Sequence, residues 1–401
     1  MIDDTTPTIR STRPRALRLA AIGSATALGV AAIVAGLWSG AGAYGTKEPV
    51  IQRELDGLVE IGFPAALGSK TDASGRHTDY VSGVGDLATH AKVPVNGEVR
   101  IGSNTKTFTA VAVLQLVQEG EVGLDVPIDT YLPGLVHGEG IDGSAITVRQ
   151  LLQHTSGLPE YTATIGADIA ALQHSYFPPR DLVDLALAEP AHFAPGAQWE
   201  YSNTNYVILG MLIEKLEKRP LFEVITSRII EPLGLADTYF PTVGEQHLRG
   251  THPKGYHVDA NGKQFDVSVL DPSFGWAAGA IVATPSDLNE FFRAVFDGRL
   301  LDDATMAEMK KTVPSDDGLS EGVEYGLGVQ SSPLSCGGLI WGHGGDIHGY
   351  ETRNGVADDG TAFTVAVTSL PWGFIDQKDE KKLLGAYKAV IDSVDAAFCA
   401  A

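Results

Sequence analysis

The apolar positions of the chain recur at helical spacing in some segments and at every second residue in others. "KEPVIQRELDGLVEIGF" (47–63) reads as an amphipathic helix. "AALGSKT" and "HTDYVSGVG", separated by a Gly-containing turn near "DASGR", read as the strands of a hairpin. A long apolar run follows from Ile101 and ends near Gly120. Between Ile101 and Gln118, Lys106 is its only charged residue. From about 125 to 300 the chain is mostly helical, as in "TVRQLLQHTSG", "PRDLVDLALAE", "TNYVILGMLIEKLEKRPLFEVITSRII" and "TPSDLNEFFRAVFDG", with Pro and Gly loops between. After "EYGLGVQ" the period returns to two. "LIWGHGG", "GYETRNGVAD" and "TAFTVAVTSL" are strand-like, and "DEKKLLGAYKAVIDSVDAAF" is a closing helix. Strands at both ends with helices between them predict an α/β (α+β) domain over 44–401. Its antiparallel sheet is built from both termini and flanked by helices, with a helical insert at about 125–300.

The N-terminus follows a different pattern. Arg10, Arg13, Arg15 and Arg18 precede an uncharged stretch from Leu19 to Trp38, and "AGA" follows at Ala41 to Ala43. Residues 1–43 therefore read as a signal peptide cut before Tyr44, or as an N-terminal membrane anchor through 19–38. Either places the domain outside the cytoplasm, secreted or anchored. In an oxidising compartment Cys336 and Cys399 are expected to bridge, the alternative being two buried thiols.

The chain has 401 residues, 44% of them hydrophobic, which is enough for one large domain, and a net charge of −21. That charge disfavours nucleic-acid partners. A monomer acting on a small molecule is expected.

One candidate chemistry stands out. Ser103 and Lys106 are three residues apart, so both side chains fall on one helical face. Ser103 would sit at a helix N-terminus, where free N–H groups favour a developing oxyanion. A lysine in apolar surroundings has its pKa lowered and can activate a neighbouring hydroxyl. The bland alternative is a capping serine beside a lysine that reaches out to solvent. "WEYSNTNYVILG" adds Tyr201, a proton shuttle, and Asn203, an amide able to hold a substrate carbonyl, or else a tyrosine anchor and a helix cap. "IWGHGGDIHGY" adds His343 ahead of Gly344 and Gly345, glycines that would let a substrate backbone approach the sheet edge, or else a plain hairpin turn. Phe274 and Trp276 would line the cleft or pack in the core, and His154 reads as structural.

SNTK, YSN and HGG, in that order and about 100 and 240 residues apart, resemble the three motifs of the penicillin-recognising serine hydrolases. The tyrosine-containing second motif is similar to class C β-lactamases and D-alanyl-D-alanine carboxypeptidases. "LLQHTSGLPEY", "PGAQWEYSNTNY" and "YGLGV" also look like family landmarks, and the cysteine positions resemble the secreted carboxypeptidase/transpeptidase branch. The resemblance implies a β-lactamase/transpeptidase-like fold and no cofactor or metal. It also implies a Ser103 acyl-enzyme formed from a small peptide, ester or β-lactam. Lys106 would accept the proton, Tyr201 would relay it, Asn203 would hold the substrate amide, and His343 would support the network electrostatically. The backbone N–H groups of Ser103 and Asp346 would form the oxyanion hole.

The chain departs from the carboxypeptidase pattern at Gln330, Gly344 and Asp346, where that branch carries groups that grip a substrate carboxylate. Asp346 is expected to repel such a carboxylate, with His348 as a candidate to offset its charge. The nearest implied activity is a D-alanyl-D-alanine carboxypeptidase/transpeptidase-type peptidase. An esterase, β-lactamase, D-aminopeptidase or slow-turnover penicillin-binding sensor is compatible with the same chemistry.

Overall fold

The computed structural model describes residues 49–399, apart from 166–168, 260 and 316–317. The leader or anchor expected over 1–43 lies outside the described residues. Among the described residues no helix is long and apolar enough to cross a membrane.

Helix α1 (Val50–Ile61) buries Ile51, Leu55 and Leu58, the stripe its apolar spacing sets. It stops at Gly62, whose φ of 130° lets its N–H turn back onto the carbonyls of Leu58 and Val59. Strands β1 (Ala65–Thr71) and β2 (His77–Gly83) form the expected hairpin. Its turn is closed by the Asp72 carboxylate, which accepts from the backbone N–H groups of Ser74 and Arg76. Helix α2 (Thr105–Gln118) is buried on nearly every face. Its threonines make that tolerable. Thr107 and Thr109 donate to the carbonyls of Gly328 and Ala277, and Thr105 Oγ1 accepts from the Ile281 N–H.

The region that follows contains α3 (Val148–Leu152), α4 (Asn203–Glu217) and α5 (Pro285–Phe296). Two small hairpins that the sequence did not suggest interrupt it. His137–Gly138 pairs Ile141–Asp142, and Tyr256–Val258 pairs Gln264–Asp266. Strands of two or three residues are too short to show an alternation.

The C-terminal part supplies β3 (Val313–Pro314), β4 (Glu324–Tyr325), β5 (Gln330–Pro333), β6 (Leu339–Gly342), β7 (Gly345–Ile347), β8 (Tyr350–Ala357) and β9 (Ala362–Val367). With β1 and β2 they form one antiparallel sheet of nine strands, in the order β2-β1-β9-β8-β6-β5-β4-β3, with β7 paired to β8. The N-terminal hairpin thus joins the last strand, Ala66 opposite Val367. The closing helix α6 (Glu380–Cys399) packs with α1 on one face of the sheet, over Ala66, Phe363, Val365 and Val367. The alternate residues Ala65, Leu67, Ala362 and Ala366 face the larger core, which holds α2, α4 and α5. The fold is the mixed architecture the periodicity implied. A disulfide joins Cys336, in the turn between β5 and β6, to Cys399 at the end of α6.

Candidate active site

Ser103 lies in a single 3-10 turn, Gly102–Asn104, that leads into α2. Gly102 adopts φ 50°, and a Cβ there would lie 2.8 Å from the Asp346 backbone nitrogen. Only glycine permits both that backbone angle and that approach, so Gly102 sets the nucleophile turn directly against β7.

Lys106 is fully buried one turn further on. Its Nζ lies 2.9 Å from Ser103 Oγ, 2.6 Å from Asn203 Oδ1 and 2.9 Å from the Ala278 carbonyl. The last two can only accept. A neutral amine therefore spends both N–H groups on them, and its lone pair is left facing the Ser103 hydroxyl. Burial lowers the ammonium from the ordinary lysine range to about 7, while the charges of Glu160 and Asp346 pull upward. The amine is poised to take a proton near neutrality.

Asn203 has a role inside the protein that the sequence did not suggest. Its Oδ1 is taken by Lys106, and its Nδ2 donates to Glu160 Oε2 at 3.0 Å. Glu160 also accepts from the Asn203 N–H at 2.6 Å, capping α4. The amide therefore orients Lys106 through Oδ1 and spends one Nδ2 hydrogen on Glu160, while the second hydrogen stays available at the cleft wall, which Asn203 borders. Tyr201 is half-buried against this group, with its ring centroid 4.8 Å from Lys106 Nζ. Burial holds its phenol well above the usual range, and a hydrogen bond to Ser103 tempers the rise.

His343 follows β6 and reaches the same place, 6.3 Å from the Tyr201 ring between centroids. Burial, with Lys106 and Arg353 nearby, lowers its imidazole to about 3. With its imidazole lowered that far, His343 is neutral near pH 7 and any support it gives the network is that of a neutral ring. Asn354 ties its loop to the nucleophile turn: Nδ2 donates to the His343 carbonyl and to Asn104 Oδ1.

Asp346 is not an unpaired repelling charge. Arg353 reaches it with Nη1 at 2.8 Å and Nη2 at 3.3 Å. Arg353 also lies 3.0 Å from Glu351, whose carboxyl burial pushes up to about 8. Near neutrality Glu351 is therefore largely protonated, and the guanidinium answers Asp346. His348 packs instead against His257 and Phe274, at ring distances of 5.0 and 5.9 Å.

A cleft of about 950 Å³ opens over these groups. Ser103, Tyr201, Asn203, His343, Gly344, Asp346, Gln330 and Phe274 border it, while Lys106 lies beneath. Gln330 Oε1 accepts from the Gly344 N–H at 3.3 Å. Two expected residues face elsewhere. Trp276 packs on Gly210 of α4, where a Cβ would lie 2.7 Å from the indole ring. Gly345 faces the interior, where its Cβ would meet the Ile101 carbonyl at 2.0 Å and Asn104 Nδ2 at 2.5 Å. Its glycine serves the seam between β7 and the nucleophile turn, not a substrate backbone. Gly345→Ala should consequently cost about 3 kcal/mol and lower the melting temperature by several degrees. Gly57→Ala, in α1 with open space around it, should be neutral or stabilising in the same melt.

Glu160, Tyr325, Arg353 and Asn354 were not singled out in the sequence. Glu160 and Tyr325 sit inside the stretches "SGLPEY" and "EYGLGV", and Arg353 is the lone cation of "GYETRNGVAD", which is the signal that marked them.

The family model described as Beta-lactamase matches residues 58–388. The chain belongs to the beta-lactamase family. It is thus a hydrolase of the superfamily of serine β-lactamases and penicillin-binding proteins. Among solved members, a D-stereospecific amidohydrolase from a Streptomyces species is 35% identical, with a TM-score of 0.77 over 88% of this chain and 98% of that one. A D-amino acid amidase from Ochrobactrum anthropi, solved with L-phenylalanine amide, is 28% identical, with a TM-score of 0.75 over 87% and 98%. A penicillin-binding protein of Bacillus subtilis is 28% identical over 67% of this chain, which spans 60% of that relative's length.

Proposed function

We propose that this beta-lactamase-family protein is an exported serine amidohydrolase that forms a Ser103 acyl-enzyme with D-configured amino-acid amides or short peptides bearing a free amino end. The observation that carries this reading is the Lys106 amine, 2.9 Å from Ser103 Oγ with its other two directions held by obligate acceptors. Lys106 takes the hydroxyl proton as Ser103 attacks the amide carbonyl. The N–H groups of Ser103 and Asp346 receive the oxyanion. Tyr201 hands its proton to the leaving amine and takes the one Lys106 removed from Ser103, so both groups return to neutral; water then enters by the reverse path to release the acid and restore the Ser103 hydroxyl.

The substrate class draws on the likeness to the Streptomyces and Ochrobactrum enzymes, each covered over 98% of its length. Charge agrees with it. The carboxylates of Glu200, Glu321, Asp346 and Asp395 line the cleft with the guanidinium of Arg353. A substrate ammonium suits that lining, whereas a substrate carboxylate must displace Asp346 from Arg353. Export draws on the N-terminal pattern and on the disulfide, a bond that persists in oxidising compartments.

A substrate panel tests the reading. D-phenylalanine amide should be hydrolysed with at least about tenfold higher kcat/KM than its N-acetylated form, and a D-alanyl-D-alanine peptide methyl ester about tenfold faster than the free acid. A free-acid D-alanyl-D-alanine peptide as the best substrate would return the assignment to carboxypeptidases.

A further inference from the structure

Behind the cleft, a buried chain of polar groups runs from α4 to β7 and fixes where each of its protons lies. His343 Nδ1 is 2.6 Å from the Gly344 carbonyl, which can only accept, so Nδ1 carries the hydrogen of the neutral ring. Its Nε2 is then bare and takes the Tyr325 hydroxyl proton at 2.8 Å. The Tyr325 oxygen also meets the Tyr206 hydroxyl, whose proton goes to the Leu152 carbonyl at 2.8 Å; with its own proton committed to His343, it can only accept from His154 Nε2, at 3.2 Å. His154 is therefore the Nε2–H tautomer, and its bare Nδ1 receives the Ser202 N–H at 3.2 Å and Asn205 Nδ2 at 3.1 Å. Asn205 is in turn oriented by Ser156, whose hydroxyl donates to Oδ1 at 2.6 Å. Every donor points the same way, and no member is left unsatisfied.

The geometry points to Tyr325 and His154 as positioning residues that lock His343 as a neutral Nδ1–H imidazole with its Nε2 lone pair occupied. The chain starts at Ser202, between Tyr201 and Asn203, and ends at Gly344, two residues before Asp346. It therefore braces the two loops that flank Ser103 against each other. It also withholds His343 from acid–base chemistry, since the nitrogen that could take a proton is already hydrogen-bonded. The charged and titratable groups facing His343 are Lys106, Arg353, Tyr201 and Tyr325. The cations among them oppose protonation, and neither tyrosine supplies a negative charge. His154, just beyond α3, is enclosed by Trp199, Tyr201, Tyr206 and Tyr325, and the nearby Lys106 and His343 oppose its protonation. The inference rests on the proposed site only for its effect on turnover; the proton positions stand apart from it.

The test is the 15N spectrum of the histidine-labelled protein, with His343 and His154 assigned by the signals lost in His343→Gln and in His154→Gln. The expected result is a protonated Nδ1 and bare Nε2 for His343, and the reverse for His154, both unchanged between about pH 5 and 8. Tyr325→Phe should release His343 to exchange tautomers and lower kcat about 10- to 100-fold with KM little altered. A proton on His343 Nε2, or titration of either ring in that range, overturns the proposal in the wild-type spectrum alone. Unchanged kcat in a folded Tyr325→Phe protein overturns the bracing role. Ser103→Ala should keep both signals while losing turnover, so failure of the relay and failure of the nucleophile assignment are read separately.

Discussion

Ser103→Ala is expected to lower kcat/KM for a D-amino acid amide by at least about ten-thousand-fold, with the fold intact. The hydroxyl at this position is the group that Lys106 and Tyr201 both contact, and what remains without it is binding and oxyanion stabilisation alone. Stability should hardly change. Ser103 is only partly buried and packs no core, and Lys106 keeps Asn203 and Ala278 as partners. Steady-state kinetics beside a thermal melt check both halves. Activity within tenfold of the parent would remove Ser103 from the mechanism.

The second large effect is at Lys106. Lys106→Met should reduce kcat/KM about a thousand-fold, the scale of a lost general base. In the parent enzyme kcat/KM should rise about tenfold per pH unit up to the amine pKa of about 7 and level off above it, because the neutral amine is the active form. The variant should lose that limb. Burial has depressed this pKa, so between about 7 and the ordinary lysine value of 10.5 the unfolded chain holds a proton that the folded chain has released. Raising pH through that window therefore stabilises the fold, and below it the penalty of burying the charge is fully present. Methionine removes that penalty but strips a donor from Asn203 Oδ1 and the Ala278 carbonyl. The two offset, and the melting temperature should stay within a few degrees of the parent near neutrality. A pH–rate profile that is flat from about 5 to 9 would contradict the role given to the amine.

Much of this was legible in the sequence, for identifiable reasons. An apolar run whose one charge is three residues from a serine is a local pattern, and α2 realises it without distortion. The period-two stretches at each end fixed a sheet made from both termini, because strands with covered faces leave alternating or wholly apolar signatures. What escaped were pairings that form only when distant segments meet. Asp346 looked like a repelling charge because its partner Arg353 lies across the β7–β8 hairpin. The part Asn203 plays in orienting Lys106 was not legible, because nothing local announces that Glu160, 43 residues earlier, fixes its amide. Trp276 read equally well as cleft or core. Its positive φ of 31° turns it onto Gly210, a contact that no periodicity encodes. His154 was read as structural, which its burial supports, yet the hydrogen bond to Tyr325 connects it to His343.

The most direct test is the mass of the intact protein, followed by peptide mapping, after brief exposure to a β-lactam or an activated ester. One added acyl group per chain, on the peptide containing Ser103 and absent from Ser103→Ala, is the predicted result. An adduct on another residue, or one that persists in Ser103→Ala, would contradict it.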